Sequence, residues 1–402
     1  MVPAALVVAT VALRDAAAEV SQVAGPCEGS SNPTVYASNR RVAVTPGGRV
    51  LAIFDPHGSG QQLKWRDPGG PWRTDTRGAV SNGSFPEDAP GDRTGTIAIR
   101  SGEAWMVWSG TNAVEYPVPV RMAHLTEVDA PGGPRVDEVA TIAGVGRGKA
   151  RPDVAFERGP RGRVRAVVTW LARTRGTFHV VAGWFNPAAR DLRVHHRATV
   201  LRSPNGSATQ ALVPTPAGMR LVATTGRGTL RMFRHRAAAP LRRWSPGRPV
   251  VAAPRGARPT GAWIAPGRRP NGPGARAGRV MVAVGGPSGP VRLVSFSATG
   301  RGARVVRRLA GRSMPVITGG GRRAWVVVVR SGDGALVSRA FVSGSGWSKR
   351  DRIVAATQDG LSAPNATRGS RGRLRVLVQG DRCPTSPKAN EVLLADRRLR
   401  RS

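Results

Sequence analysis

A glycine turn that feeds a short apolar strand recurs along the whole chain, and no other feature narrows the possible folds as much. It reads TPGGRVLAIF at 45–54 and returns as SGEAWMVW from 101, GPRGRVRAVVTW from 159 and TPAGMRLVAT from 215. ARAGRVMVAV from 275, GGGRRAWVVVV from 319 and GSRGRLRVLVQ from 369 follow. The last glycines before these strands are Gly48, Gly102, Gly162, Gly218, Gly278, Gly321 and Gly372, so successive copies lie 43 to 60 residues apart. Self-similarity at such a period marks a repeat architecture. Four short strands with their turns fill about that length, which is one blade of a β-propeller. Seven copies predict an all-β propeller of seven four-stranded antiparallel blades, or six if one copy is an incomplete blade. The ring is expected to close near the termini.

The rest of the chain agrees. Gly 51 and Pro 33 are about a fifth of 402 residues, which suits many tight turns. Apolar runs of four to six residues bounded by Gly, Pro and Ser dominate, and no stretch sustains a helical period. Residues 1–13 (MVPAALVVATVAL) are an uncharged apolar run, too short to span a bilayer. The run suits a secretory signal with Ala16, Ala17 and Ala18 as a small-residue cleavage site, although no Lys or Arg precedes it. A buried strand is the other reading. We expect 1–26 to be a signal peptide and leader and 27–402 a single propeller domain. Residues 23–27 (VAGPC) resemble a lipoprotein box, but Pro26 stands where a small residue belongs.

The two cysteines, Cys27 and Cys383, sit at opposite ends of the array. In a closed ring those ends meet, so a Cys27–Cys383 disulfide is expected; two buried free thiols are the alternative. Such a bond restricts a very long loop, worth on the order of 4–5 kcal/mol in the loop-entropy model. It persists in an oxidising compartment, which agrees with a secreted or extracytoplasmic location.

The formal net charge is +38, and it is uneven. Residues 1–157 hold 15 basic and 17 acidic groups, whereas 158–402 hold 47 basic and 7 acidic groups. This asymmetry favours contact with a polyanion, although a GC-rich genome also raises arginine. No nucleic-acid-binding signature is present, so an envelope glycan or anionic polymer is preferred as partner over nucleic acid.

The first copy, read as RVAVTPGGRVLAIFD at 41–55, is followed by WRDPGGPW at 65–72. Together they resemble the sialidase superfamily (BNR or Asp-box repeat propellers), in which an Arg-Ile-Pro strand precedes a Gly turn and a Leu-Leu-Ala-Phe strand. Asp67, Gly69 and Trp72 match the Asp-box, and Trp65 replaces its Ser/Thr. The box resembles a hairpin turn in which the Asp accepts backbone N–H bonds and the Trp packs between strands. That role is structural. Trp244 and Trp347 stand at matching places in later copies without the Asp, and residues 331–334 (SGDG) resemble the start of a box. The resemblance covers most of 36–380 as architecture and is sharpest over 41–72. The family usually has six blades.

The family's chemistry carries over poorly. The resemblance implies three carboxylate-binding arginines, a Tyr nucleophile with a Glu partner and an Asp acid/base. Only Arg41 falls on a family motif, as the one catalytic candidate. The only tyrosines, Tyr36 and Tyr116, lie in the first third, whereas the family's Tyr lies toward the C-terminal end. Carboxylates for another glycoside hydrolase are Glu87, Asp88, Asp92, Asp137, Glu138 and Asp153. His57, His124, His179, His195, His196 and His235 form no metal motif, and adjacent His195 and His196 on a strand are expected to face opposite ways. No metal or cofactor is expected. Trp105, Trp108, Trp170 and Trp325 are expected to pack between blades; Trp65, Trp184 and Trp263 are less clearly placed. An exposed Trp could carry a sugar.

On the sequence alone the protein is expected to be an exported, non-catalytic, monomeric propeller with no membrane span in its mature chain. It binds an envelope glycan, an anionic polymer or a protein at one face. The alternative is a sialidase-like glycoside hydrolase with an altered active site. A third reading is a scaffold whose charge is codon bias alone.

Overall fold

The computed structural model describes residues 18–30, 40–56, 61–80, 83–85, 94–109, 118–145, 150–159, 162–189, 192–203, 209–253, 257–266, 278–285, 290–310, 312–330, 333–343, 345–348, 351–354, 361–368 and 373–398. They form seven antiparallel sheets arranged as a propeller, one for each copy of the repeat. The innermost strands of blades 1 to 7 are Val42–Val44, Thr94–Arg100, Asp153–Arg158, Thr209–Thr215, Arg258–Ile264, Arg312–Gly320 and Ser362–Arg368. Each lies beside the next, and Ser362–Arg368 lies beside Val42–Val44, which closes the ring. The seven-blade count departs from the six that are usual in the resembled family.

The turn between first and second strands explains the glycines. In blade 2, Arg100 pairs with Glu103 and only Ser101 and Gly102 lie between, at φ 51° and 82°. Positive φ at both central residues matches the right-handed twist of the flanking strands. Gly218 of blade 4 has φ 109°, and a Cβ there would lie 2.3 Å from the His235 carbonyl oxygen.

The second strands read as unbroken apolar runs because both their faces are buried. In Glu103–Ser109, Trp105 and Val107 face blade 3, while Ala104, Met106 and Trp108 pack toward blade 1. In Arg323–Val329, Trp325, Val327 and Val329 join blade 7, and Ala324, Val326 and Val328 join blade 5. Each buried cluster among the described residues is shared by two consecutive blades, and the last joins blade 7 to blade 1. The core is therefore a ring of interfaces. Trp105, Trp108, Trp170, Trp184 and Trp325 are all buried in these interfaces, and Trp65 is fully enclosed.

Arginines staple neighbouring blades from the start of the second strand to the outer turn of the next blade. Arg49 Nη1 donates to Val128 and Ala130 carbonyls of blade 2 at 2.9 and 2.8 Å. Arg165 of blade 3 donates to the Ala237 carbonyl of blade 4. Arg220 Nε of blade 4 donates to the Ala298 carbonyl of blade 5 at 2.6 Å. Burial, together with the cross-strand neighbour Arg234, pulls the Arg220 guanidinium down to about 10, so it stays charged at neutral pH.

The last blade is built from both chain ends. Ser362–Arg368, Arg373–Cys383 and Ser386–Arg398 come from the C-terminus, and Glu19–Ser30 completes the sheet as its outermost strand. Part of the segment assigned above to a leader, residues 19–26, thus lies inside the propeller, because the sheet takes this strand as its fourth. Cys27 is bonded to Cys383, 356 residues away in sequence. The expected cost of Cys27→Ser, or of reduction, is about 2–5 kcal/mol. Denaturant unfolding of oxidised and reduced protein measures it, and coincident transitions would show that strand pairing alone holds the ring.

Candidate functional site

A large cleft opens on the face that carries the glycine turns, between blades 2 and 3, with a volume of about 1840 Å³. Two elements of each blade build it: the turn from first to second strand, and the connection from third to outermost strand. Blade 2 supplies Arg100 and Glu103 from its first turn, and Glu127, Arg135, Asp137 and Glu138 from its outer edge. Blade 3 supplies Arg163 and Arg165, then Trp184 to Ala189 with His195 and His196. Leu241 of blade 4 completes the rim.

One residue sets this interface apart from the others. The residue after each repeat glycine is Arg49, Glu103, Arg163, Met219, Arg279, Arg322 or Arg373, so only blade 2 carries an acid there. A carboxylate cannot donate to a backbone carbonyl, so Glu103 cannot staple the blade 3 turn as Arg49 staples that of blade 2. Glu103 instead meets His124 Nε2 of its own blade at 3.5 Å. The His124 ring stacks on Trp105 with centroids 4.8 Å apart.

Below the rim lies a buried polar cluster. Glu157 Oε1 is 3.4 Å from both His235 Nδ1 and Arg165 Nη2, and the Glu157 and His235 side chains have no exposed surface. His235 Nε2 lies 3.2 Å from the Pro240 carbonyl oxygen, and its ring sits 4.5 Å from that of Trp184. Arg165 also lies over Trp184. This cluster ties blade 3 to blade 4 and stiffens one wall of the cleft.

The residues singled out from sequence are dispersed. Arg41 is fully buried, with Nη1 3.4 Å from Asp55 Oδ1, itself buried. Its neighbour Arg40 turns the other way, as alternate residues do, and reaches blade 3 near the axis. There Arg40 Nη2 lies 3.1 Å from Asp153 Oδ1 and donates to the Val154 carbonyl. Asp153 also accepts the backbone N–H of Leu212 in blade 4 at 2.8 Å. Asp137 and Glu138 do reach the cleft, and Glu103 and Glu127 join them. Glu87, Asp88, Asp92, Tyr36, Tyr116 and His57 lie outside the described residues. His195 and His196 both line the cleft, against the expected alternation, because His196 takes φ 50° and breaks the strand geometry.

In the box-like turn, Asp67 accepts from Arg49 Nε at 2.8 Å, and Gly69 turns the chain at φ 76°. Trp72 donates to Ser21 Oγ of the N-terminal strand at 3.2 Å and packs on the blade 7–blade 1 cluster. The turn thus braces the seam of the ring. Among the described residues no His, Cys, Asp and Glu group could hold a metal, and no helix is long and apolar enough to cross a membrane.

No family model and no curated protein matches the chain. Solved structures similar to it include an Aleuria aurantia lectin in complex with Fucα1-6GlcNAc, at 11% identity and a TM-score of 0.47, covering 80% of this chain and 98% of that one. A puromycin hydrolase is similar at 15% identity and a TM-score of 0.43, covering 90% and 53%. A copper-bound fungal alcohol oxidase of the AA5 family is similar at 10% identity and a TM-score of 0.49, covering 94% and 75%. Likeness at this level distinguishes no function.

Burial, the largest influence, raises the Asp153 carboxyl above its ordinary value, against the pull of Arg40 and of the Leu212 and Val154 N–H groups. The folded chain then holds this proton more tightly than the unfolded one. Stability from this group is full below the ordinary value of about 3.9 and is lost as pH rises through the raised folded value. Asp153→Asn lacks that loss. Its destabilisation relative to the parent is therefore expected to be larger at about pH 4 than at about pH 7, and equal shifts in unfolding midpoint would contradict a raised carboxyl.

Proposed function

We propose that this propeller is a glycan-binding protein whose site is the cleft between blades 2 and 3. The carrying observation is the cleft's lining: four carboxylates (Glu103, Glu127, Asp137, Glu138) and four guanidinium groups (Arg100, Arg135, Arg163, Arg165) surround a space of about 1840 Å³. Sugar hydroxyls both donate and accept, so a wall that mixes carboxylates, guanidinium groups and imidazoles suits them better than it suits a ligand of one charge. The volume exceeds the roughly 300–1,000 Å³ of small-molecule pockets and suits an oligosaccharide. No cofactor is needed, and a monomer suffices because one chain supplies every lining residue.

A secreted or extracytoplasmic location is part of this reading, supported by the disulfide and by the apolar run at 1–13. The resemblance of 41–72 to sialidase-superfamily blades is read as shared blade architecture. A leader would then be removed before Glu19, so that the strand Glu19–Ser30 remains to complete the last blade; N-terminal sequencing of the mature protein tests this.

The four carboxylates also favour a second reading, glycoside hydrolysis by a pair about 5–10 Å apart. A glycan array with the folded mature protein, followed by chromogenic glycosides that include sialosides, separates the two. Binding of an oligosaccharide class is expected, weakened about tenfold or more by Glu103→Gln and by Arg163→Ala, with no turnover. Turnover abolished by a single cleft carboxylate variant would establish the hydrolase. Absence of both would remove the cleft as the site.

A further inference from the structure

Between Asp191 and Asp333 lie 141 residues with 26 arginines and no Asp, Glu or Lys. They make the outermost strand of blade 3, all of blades 4 and 5 and the first half of blade 6. Uniform codon bias does not account for this, since residues 1–157 of the same chain hold 17 acids. The fold consumes some of these arginines as staples, such as Arg220, and leaves others at the propeller's outer edge.

That edge is made by the outermost strands Arg248–Ala252 of blade 4 and Arg304–Leu309 of blade 5, which lie side by side. Arg292 of blade 5 reaches across to the Ala252 carbonyl at 3.0 Å. Arg248, Arg301, Arg304 and Arg308 are exposed and Arg307 is half-buried. Among the described residues none of these five takes part in an ion pair. Arg308 is also the cross-strand partner of Arg292. Like charges directly opposite one another destabilise a sheet, and no neighbouring acid in these blades offsets the repulsion.

We propose that this edge is a docking surface for a linear anionic polysaccharide, separate from the cleft. A polyanion supplies the charge that blades 4 and 5 lack, and an extended chain can follow two adjacent edge strands. Carbohydrate fits better than single-stranded nucleic acid, because binding of the latter relies on aromatic stacking and the edge arginines are interleaved with valine and proline. The oxidising compartment implied by the Cys27–Cys383 bond points the same way.

The test uses the full chain and polygalacturonate, with its methyl ester as the same backbone without charge. The protein is expected to bind polygalacturonate and not the ester, with affinity falling as salt rises. The triple variant Arg304→Gln, Arg307→Gln, Arg308→Gln is expected to lose about tenfold to a hundredfold in affinity at about 50 mM salt, with an unchanged unfolding midpoint. The corresponding lysine variant, which keeps the charge, is expected to bind like the parent. Glu103→Gln in the cleft is expected to leave polygalacturonate binding intact, so the two sites fail separately. Parent-like binding by the glutamine variant, equal binding of the ester, or tighter binding of duplex DNA or polyglutamate would each overturn the proposal.

Discussion

Each blade of this protein buries both of its faces, and the structure depends on that constraint. A sheet flanked by apolar layers on two sides has no stable existence until both neighbours are in place. The requirement propagates around the ring and can be met only if the last blade meets the first. The chain meets it by placing Glu19–Ser30 on the blade made by its own C-terminus. The disulfide then ties the strand that begins the ring to the blade that ends it. Trp72, bonded to Ser21, braces the same seam from blade 1.

The arginines divide into two populations that composition cannot separate. Arg49, Arg165 and Arg220 are structural: each carries several N–H donors on a planar fork and reaches carbonyls of the next blade that no backbone group could reach. Arg304, Arg307 and Arg308 stand at an outer edge and take part in no ion pair among the described residues. The same residue type thus holds the ring together on one face of the blade sequence and sets its surface field on another. The cleft between blades 2 and 3 lies beside an exception to this pattern. Glu103 stands where other blades carry Arg or Met, and at that interface the blades part around a lining of mixed charge.

Much of the fold was legible because a repeat encodes the same local physics seven times. The glycine turns and the doubly buried second strands follow from turn chemistry and apolar patterning. The site was far less legible. Asp137 and Glu138 stood out as acids, but nothing local tells that Glu127 and Glu103 share their cleft, since these residues come from separate turns. The one available signal was Glu103 itself, the lone acid at its position in the repeat. Arg41 fell on a family motif, yet its side chain is enclosed with Asp55, and Arg40 is the one that reaches across to Asp153 of blade 3.

The sequence by itself determined an all-β repeat array of six or seven blades, the placing of Cys27 and Cys383 at its two ends and the charge imbalance between the early and late blades. These are properties of spacing and composition, which survive without knowing where any side chain points. Tertiary structure alone decided that Glu19–Ser30 belongs to the last blade and that some arginines are staples while others face solvent. It also decided that the acids and aromatics of two blades meet in one cleft. Each of those outcomes depends on contacts between residues far apart in the chain, and only the closed ring brings them within reach.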